Sequence, residues 1–126
     1  MAEIKNFTDL KVWQFAHEIR KNIYTLTATF PPSERNNLIS QLRRAATSVA
    51  SNIAEGFGRF HYQENIQFCR QARGSLEEVL DQIILSKDLG FIPDSEYAAT
   101  EGKIIECRKL LNGYISSLHE RKSRNS

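Results

Sequence analysis

Few side chains in this 126-residue chain are of types that do chemistry: His17, His61 and His119, Cys69 and Cys107, and a glycine-bearing stretch from Asn52 to Arg59. The cysteines stand apart, with no C-x-x-C and no nearby pair of histidines, so the spacing of a zinc site is missing. Both fall on apolar helical stripes and are expected as buried free thiols in a reducing cytosol. The histidines lie on different helices or turns, and none is at helical spacing from a carboxylate pair or a cysteine. His17 neighbours Glu18 and Arg20, but on a mixed face that suits an interface or open surface. No E-x-x-H occurs, so the di-iron bundle pattern is absent from the sequence. The expectation is a protein that is not an enzyme, with no metal, cofactor or small-molecule substrate.

The run Asn52-Ile53-Ala54-Glu55-Gly56-Phe57-Gly58-Arg59 has a different meaning. Gly-rich turns at helix starts can cradle phosphate, but no strand precedes this one and no Lys-Ser/Thr follows. Gly56 falls where a helix C-terminus favours positive φ, and Gly58 adds freedom before the next helix. A helix-hairpin turn pinned by Asn52, Glu55 and Arg59 is the expectation. Gly74, inside a later helix, is expected to mark a close crossing near Arg70 and Glu77.

These residues must be positioned by helices, because no segment alternates as a strand does. Four segments show a three-to-four-residue apolar period, at about residues 8–29, 33–55, 62–88 and 94–120. In the first, Thr8 is the expected N-cap and Phe7 is placed to staple against Val12. Phe30-Pro31-Pro32 stops it, and Ser33 is expected to cap the second. The stripes run through Val12, Phe15, Ala16, Ile19, Ile23 and Leu26; Leu42, Ala45, Val49 and Ile53; Ile66, Cys69, Leu76 and Ile83; and Ile104, Cys107, Leu111 and Leu118. Joined by short loops, such helices form an all-α, antiparallel up-down-up-down four-helix bundle, one domain over 1–126, with 121–126 a disordered tail.

Two faces lie off these stripes. On the first helix Leu10, Trp13, His17 and Tyr24 align with Arg20 beside them, the composition of a protein contact or of the edge of the core. On the second, Arg44, Thr47, Ser48, Ser51 and Glu55 form an outer face with Arg43, Ala50 and Ala54 alongside. A solvated helix face ordinarily prefers long Lys, Glu and Gln side chains, whereas small ones admit another helix. Arg44 is within reach of Ser48, and Glu55 of an arginine. The face fits a tight contact between subunits, or cover for a short loop of the same chain.

Charge is nearly balanced, with 17 Lys+Arg against 15 Asp+Glu for a net +2, and 40% of residues are hydrophobic. That balance argues against disorder, and no apolar run is long enough to cross a membrane. The start, MAEIKNFTDLKVW, lacks the apolar stretch of a signal peptide, so a cytoplasmic protein is expected. Basic residues are unevenly placed: Lys5, Lys11, Arg20 and Lys21 near the first helix, then Arg59, Arg121, Lys122 and Arg124. Residues 60–89 instead hold 3 basic and 5 acidic groups.

Five strings carry a resemblance: Leu10-Lys11-Val12-Trp13-Gln14; Phe30-Pro31; Gln41-Leu42-Arg43-Arg44-Ala45-Ala46; Asn52-Ile53-Ala54-Glu55-Gly56 with Gly58-Arg59; and Ala72-Arg73-Gly74-Ser75. Together, over about residues 7–118, they resemble the four-helix-bundle proteins of the 23S rRNA intervening-sequence family, encoded by bacterial reading frames, some within insertions in large-subunit rRNA genes. The resemblance implies a four-helix fold and assembly into a homopentameric ring. Related proteins are accessory factors of diversity-generating retroelements, in which a basic ring binds reverse transcriptase and nucleic acid.

Two functions follow as expectations. One is an oligomeric scaffold that binds RNA or a ribonucleoprotein through Lys11, Arg20, Lys21, Arg59, Arg121, Lys122 and Arg124, with phosphate contacts that are salt-dependent and read little sequence. The other is a protein-interaction scaffold that docks a partner helix on the Trp13 stripe and touches no nucleic acid.

Overall fold

The computed structural model describes residues 3–124, and these form four long helices: α1 (Lys11–Thr27), α2 (Ser40–Phe57), α3 (Tyr62–Asp88) and α4 (Asp94–Arg124). No strand occurs among the described residues. Each helix packs on its neighbours in sequence, and α4 returns to α1 to close the bundle. The helices are antiparallel, because early residues of one meet late residues of the next. Gln41 meets Gln82 and Ser48 meets Ser75 across α2 and α3. Arg73 meets Asn112 and Glu77 meets Arg108 across α3 and α4, and Asn22 of α1 meets Thr100 of α4.

The apolar stripes form the core. Ile19, Ile23, Leu42, Ile53, Ile66, Leu76, Ile83, Ile104, Leu111 and Leu118 are all fully buried. Each such side chain contributes about 1.5–3 kcal/mol through burial. Two residues assigned from sequence to outer faces are in this core: Leu10, just ahead of α1, and Ala50 of α2. No described helix is long and apolar enough to cross a membrane.

The helix ends differ from expectation where side chains found other uses. The first cap is Asn6, not Thr8: its carboxamide accepts from the Thr8 N–H, while Asp9 accepts from the N–H groups of Lys5 and Asn6. This capping box closes a 3-10 turn, Phe7–Asp9, and α1 starts only at Lys11. Those two backbone donors also hold the Asp9 carboxyl below the usual carboxylate range. Ser33 caps nothing. Pro32 opens a 3-10 turn over Pro32–Glu34, a π-helical turn follows over Arg35–Ile39, and α2 starts at Ser40. Gly56 is not a left-handed cap: it is buried inside α2, and Gly90, at φ 81°, is the one described residue with positive φ. Nor does Gly74 mark a crossing, since a Cβ there would meet nothing within 4 Å.

Residues 121–124 of the expected tail are helical, the last turn of α4. Arg121, Lys122 and Arg124 suit the negative end of the helix dipole. Lys122 also donates to Gln63 Oε1 on α3. Residues 125–126 lie outside the described residues. One end of the bundle therefore gathers the N-terminal turn, the α2–α3 turn and the α4 terminus.

Candidate functional site

The α1 stripe is a stack. Trp13 is half-buried, lies 4.8 Å from the His17 ring at 14° and takes the edge of Phe7 at 5.1 Å. Phe7 thus packs on Trp13, one position past the Val12 expected from sequence, because the 3-10 turn ahead of α1 redirects it. Arg20 donates to His17 Nδ1 at 2.9 Å. One turn on, Tyr24 lies beneath the Arg43 guanidinium at 4.5 Å, and Arg43 Nε donates to Thr27 Oγ1 at 2.9 Å. Through these contacts Arg43 ties α2 to the last turns of α1.

The outer face of α2 divides. Ser48 turns inward to α3, with its Oγ 2.9 Å from Ser75 Oγ, and Asn52 Nδ2 donates to the Ser48 carbonyl and hydroxyl. Arg44 does not reach Ser48; it extends to Glu78 on α3 at 4.0 Å and stays largely exposed. Beside it Gln82 donates to Gln41 and Glu78, and its own Oε1 is buried without a partner. Ser51 faces outward.

At the α2–α3 turn Arg59 is taken up within the chain. Its guanidinium is 3.7 Å from Glu55, 4.0 Å from Glu64 and 4.9 Å from the Phe68 ring. Gly58, next to it, ends α2 at φ −76°, an ordinary right-handed conformation. Of the other basic residues expected to meet phosphate, Arg20 is held by His17 and Lys21 pairs with Glu18 at 2.7 Å. That pairing keeps the Glu18 carboxyl below its ordinary range. Lys11 and Lys103 flank a groove of about 460 Å³ between α1 and α4, floored by Phe15 with Gln14 and Glu18. The structure therefore scatters the basic set. Arg121, Lys122 and Arg124 remain together on the last turn of α4, beside the start of α3.

Sequence reasoning missed three features. Phe60, between Arg59 and His61, is 99% exposed; its place outside every apolar stripe was the available signal. The Lys11–Lys103 groove joins helices far apart in sequence and had no local signal. Asn65 is buried on α3, donates to the Tyr114 hydroxyl at 3.1 Å and accepts weakly from the Cys69 thiol. Cys69 and Cys107 are buried and unpaired, and burial pushes both thiols up to about 12. Among the described residues no three His, Cys, Asp or Glu side chains come together as a metal site.

The fold is that of an antiparallel four-helix bundle with basic residues on the last turn of α4. The chain matches the family model described as 23S rRNA-intervening sequence protein over residues 8–113, and it belongs to that family. No protein of curated function matches it. The strings that carry the resemblance have physical roles. Arg43 ties α2 to α1, Ala45 and Ala46 fill the core, and Arg73 and Ser75 tie α3 to α4 and α2 respectively.

Proposed function

We propose that the chain is a non-enzymatic subunit of a homo-oligomeric ring, a pentamer by family analogy, which binds RNA or a ribonucleoprotein through basic clusters repeated around the ring. The observation that carries this reading is the part-exposed ring stack of α1, Phe7 on Trp13 on His17, followed by Tyr24 beneath Arg43 of α2. Aromatic rings, small side chains and an exposed arginine are the composition of a protein contact. Arg44, Ser51 and Glu55 are exposed on α2.

The net charge of +2 per chain is no obstacle to phosphate binding. A ring repeats the Arg121, Lys122 and Arg124 cluster around one axis, and the summed field governs attraction of a polyanion. Two free buried thiols fit a reducing compartment, in keeping with a cytoplasmic site of action.

Light scattering after gel filtration tests the assembly. A particle near five times the 14.5 kDa chain mass is expected, falling on Arg44→Glu with Ser51→Lys while helicity is retained. A monomeric wild type ends the ring reading. A protein-interaction scaffold without nucleic acid is the second reading, favoured by the exposed Ile84, Leu85, Leu89 and Ile105. A gel shift with structured RNA separates the two: absence of a shift at roughly 50 mM salt favours the protein partner.

A further inference from the structure

We infer that the α2–α3 turn is a stacking platform for unpaired nucleobases, with Phe60 taking a base face and the basic last turn of α4 holding the flanking phosphates. This rests on the RNA-binding reading above and narrows it to single-stranded RNA.

Phe60 is 99% exposed, in the short connection between α2 and α3, and belongs to no apolar stripe. An exposed ring near a basic helix end suits a ligand that is aromatic and anionic at once. His61 follows it in sequence. Lys122 donates to Gln63, so the last turn of α4, with Arg121 and Arg124, stands beside the start of α3. Arg59 pairs with both Glu55 and Glu64 and leaves one net negative charge at the turn, while the last turn of α4 sets Arg121, Lys122 and Arg124 against Glu120 alone. A duplex hides its base faces, whereas an unpaired strand presents a ring to stack and a phosphate on either side.

Fluorescence anisotropy with a labelled oligouridine and a blunt RNA duplex of equal length tests the assignment at low salt. The wild type is expected to prefer oligouridine. Phe60→Ala should weaken oligouridine binding about tenfold while leaving the duplex and the salt slope unchanged, and Phe60→Trp should restore affinity. Lys122→Glu with Arg124→Glu should weaken both probes. If Phe60→Ala binds oligouridine as the wild type does, the platform is wrong while the RNA reading stands. Failure of the wild type to bind either probe removes both. A fall in particle mass for Phe60→Ala, with helicity unchanged, would place Phe60 between copies of the chain and overturn the platform.

Discussion

Gly56 of α2 and Asn65 of α3 approach so closely that a Cβ on Gly56 would stand 2.6 Å from Asn65 Oδ1. The same Cβ would be 3.0 Å from Phe68 Cβ and 3.1 Å from the Asn65 carbonyl. Helix α2 thus comes close to α3 just before the turn that joins them. The approach holds Asn65 where its amide reaches Tyr114 on α4, so one missing side chain aligns three helices.

Gly56→Ala is therefore expected to destabilise the fold by about 1–3 kcal/mol, since the obstructing atoms include backbone and a buried amide. Gly74→Ala should go the other way, with a gain of up to about 1 kcal/mol, because it is a helix-interior glycine with open space around it. Urea midpoints of the two variants measure this. A neutral Gly56→Ala would refute the close approach. A loss for Gly74→Ala would mean that the outer face of α3 is covered in the assembled particle.

The buried thiols give a second expectation. With folded values near 12, Cys69 and Cys107 should resist alkylation at pH 8 and react at the rate of free thiols once urea unfolds the chain. The neutral forms are the ones the fold accommodates, so their stabilisation is complete below the unfolded value of 9.0 and is lost as pH rises toward 12. Mass spectrometry after timed iodoacetamide treatment, with thermal midpoints over the same pH range, checks both. Rapid labelling of the native protein would contradict the burial.

Most of the architecture was legible because burial and helical period are coupled: Ile19, Leu42, Leu76 and Leu111 could be assigned inward from spacing alone, and all are buried. The α3 limits were legible too, bounded by the turn before it and by Leu89-Gly90. What escaped were competitions between equivalent local choices. Asn6 and Thr8 are both good caps, and only the Asp9 contacts decide between them. Gly56 looked like a terminator because sequence shows the glycine and not the helix pressed against it. Arg59 was taken both as a turn pin and as a phosphate ligand. Its choice depends on Glu64 and Phe68, which lie on the next helix.

Tyr114→Phe should cost about 1–3 kcal/mol, because it leaves the buried Asn65 amide without its acceptor. Burial already raises the Tyr114 hydroxyl above its ordinary value of 10.0, with the Asn65 bond acting in the opposite sense. The neutral phenol is thus the form the fold keeps, and its contribution is lost as pH climbs past 10.0. The variant should be less stable at neutral pH and show a shallower alkaline decline. Chemical denaturation at pH 7 and pH 10.5 measures both, and equal stability of variant and wild type at pH 7 would discount the bond.

Arg59 supplies the sharpest separation of structure from binding. Its guanidinium faces Glu55, Glu64 and the Phe68 ring, so it joins the end of α2 to the first turns of α3. Both ion pairs are exposed and contribute little singly, and the ring contact adds about 0.5–1 kcal/mol. Arg59→Gln should therefore lower stability by about 1 kcal/mol in total and leave the salt dependence of RNA binding unchanged. Lys122→Gln should do the reverse, lowering the slope of log affinity against log salt by about one per chain with little effect on the unfolding midpoint. Titrations at several salt concentrations, paired with urea melts, distinguish the two. An equal loss of slope for Arg59→Gln would show that Arg59 leaves its carboxylates to meet phosphate, adding an ionic contact at the turn that carries Phe60.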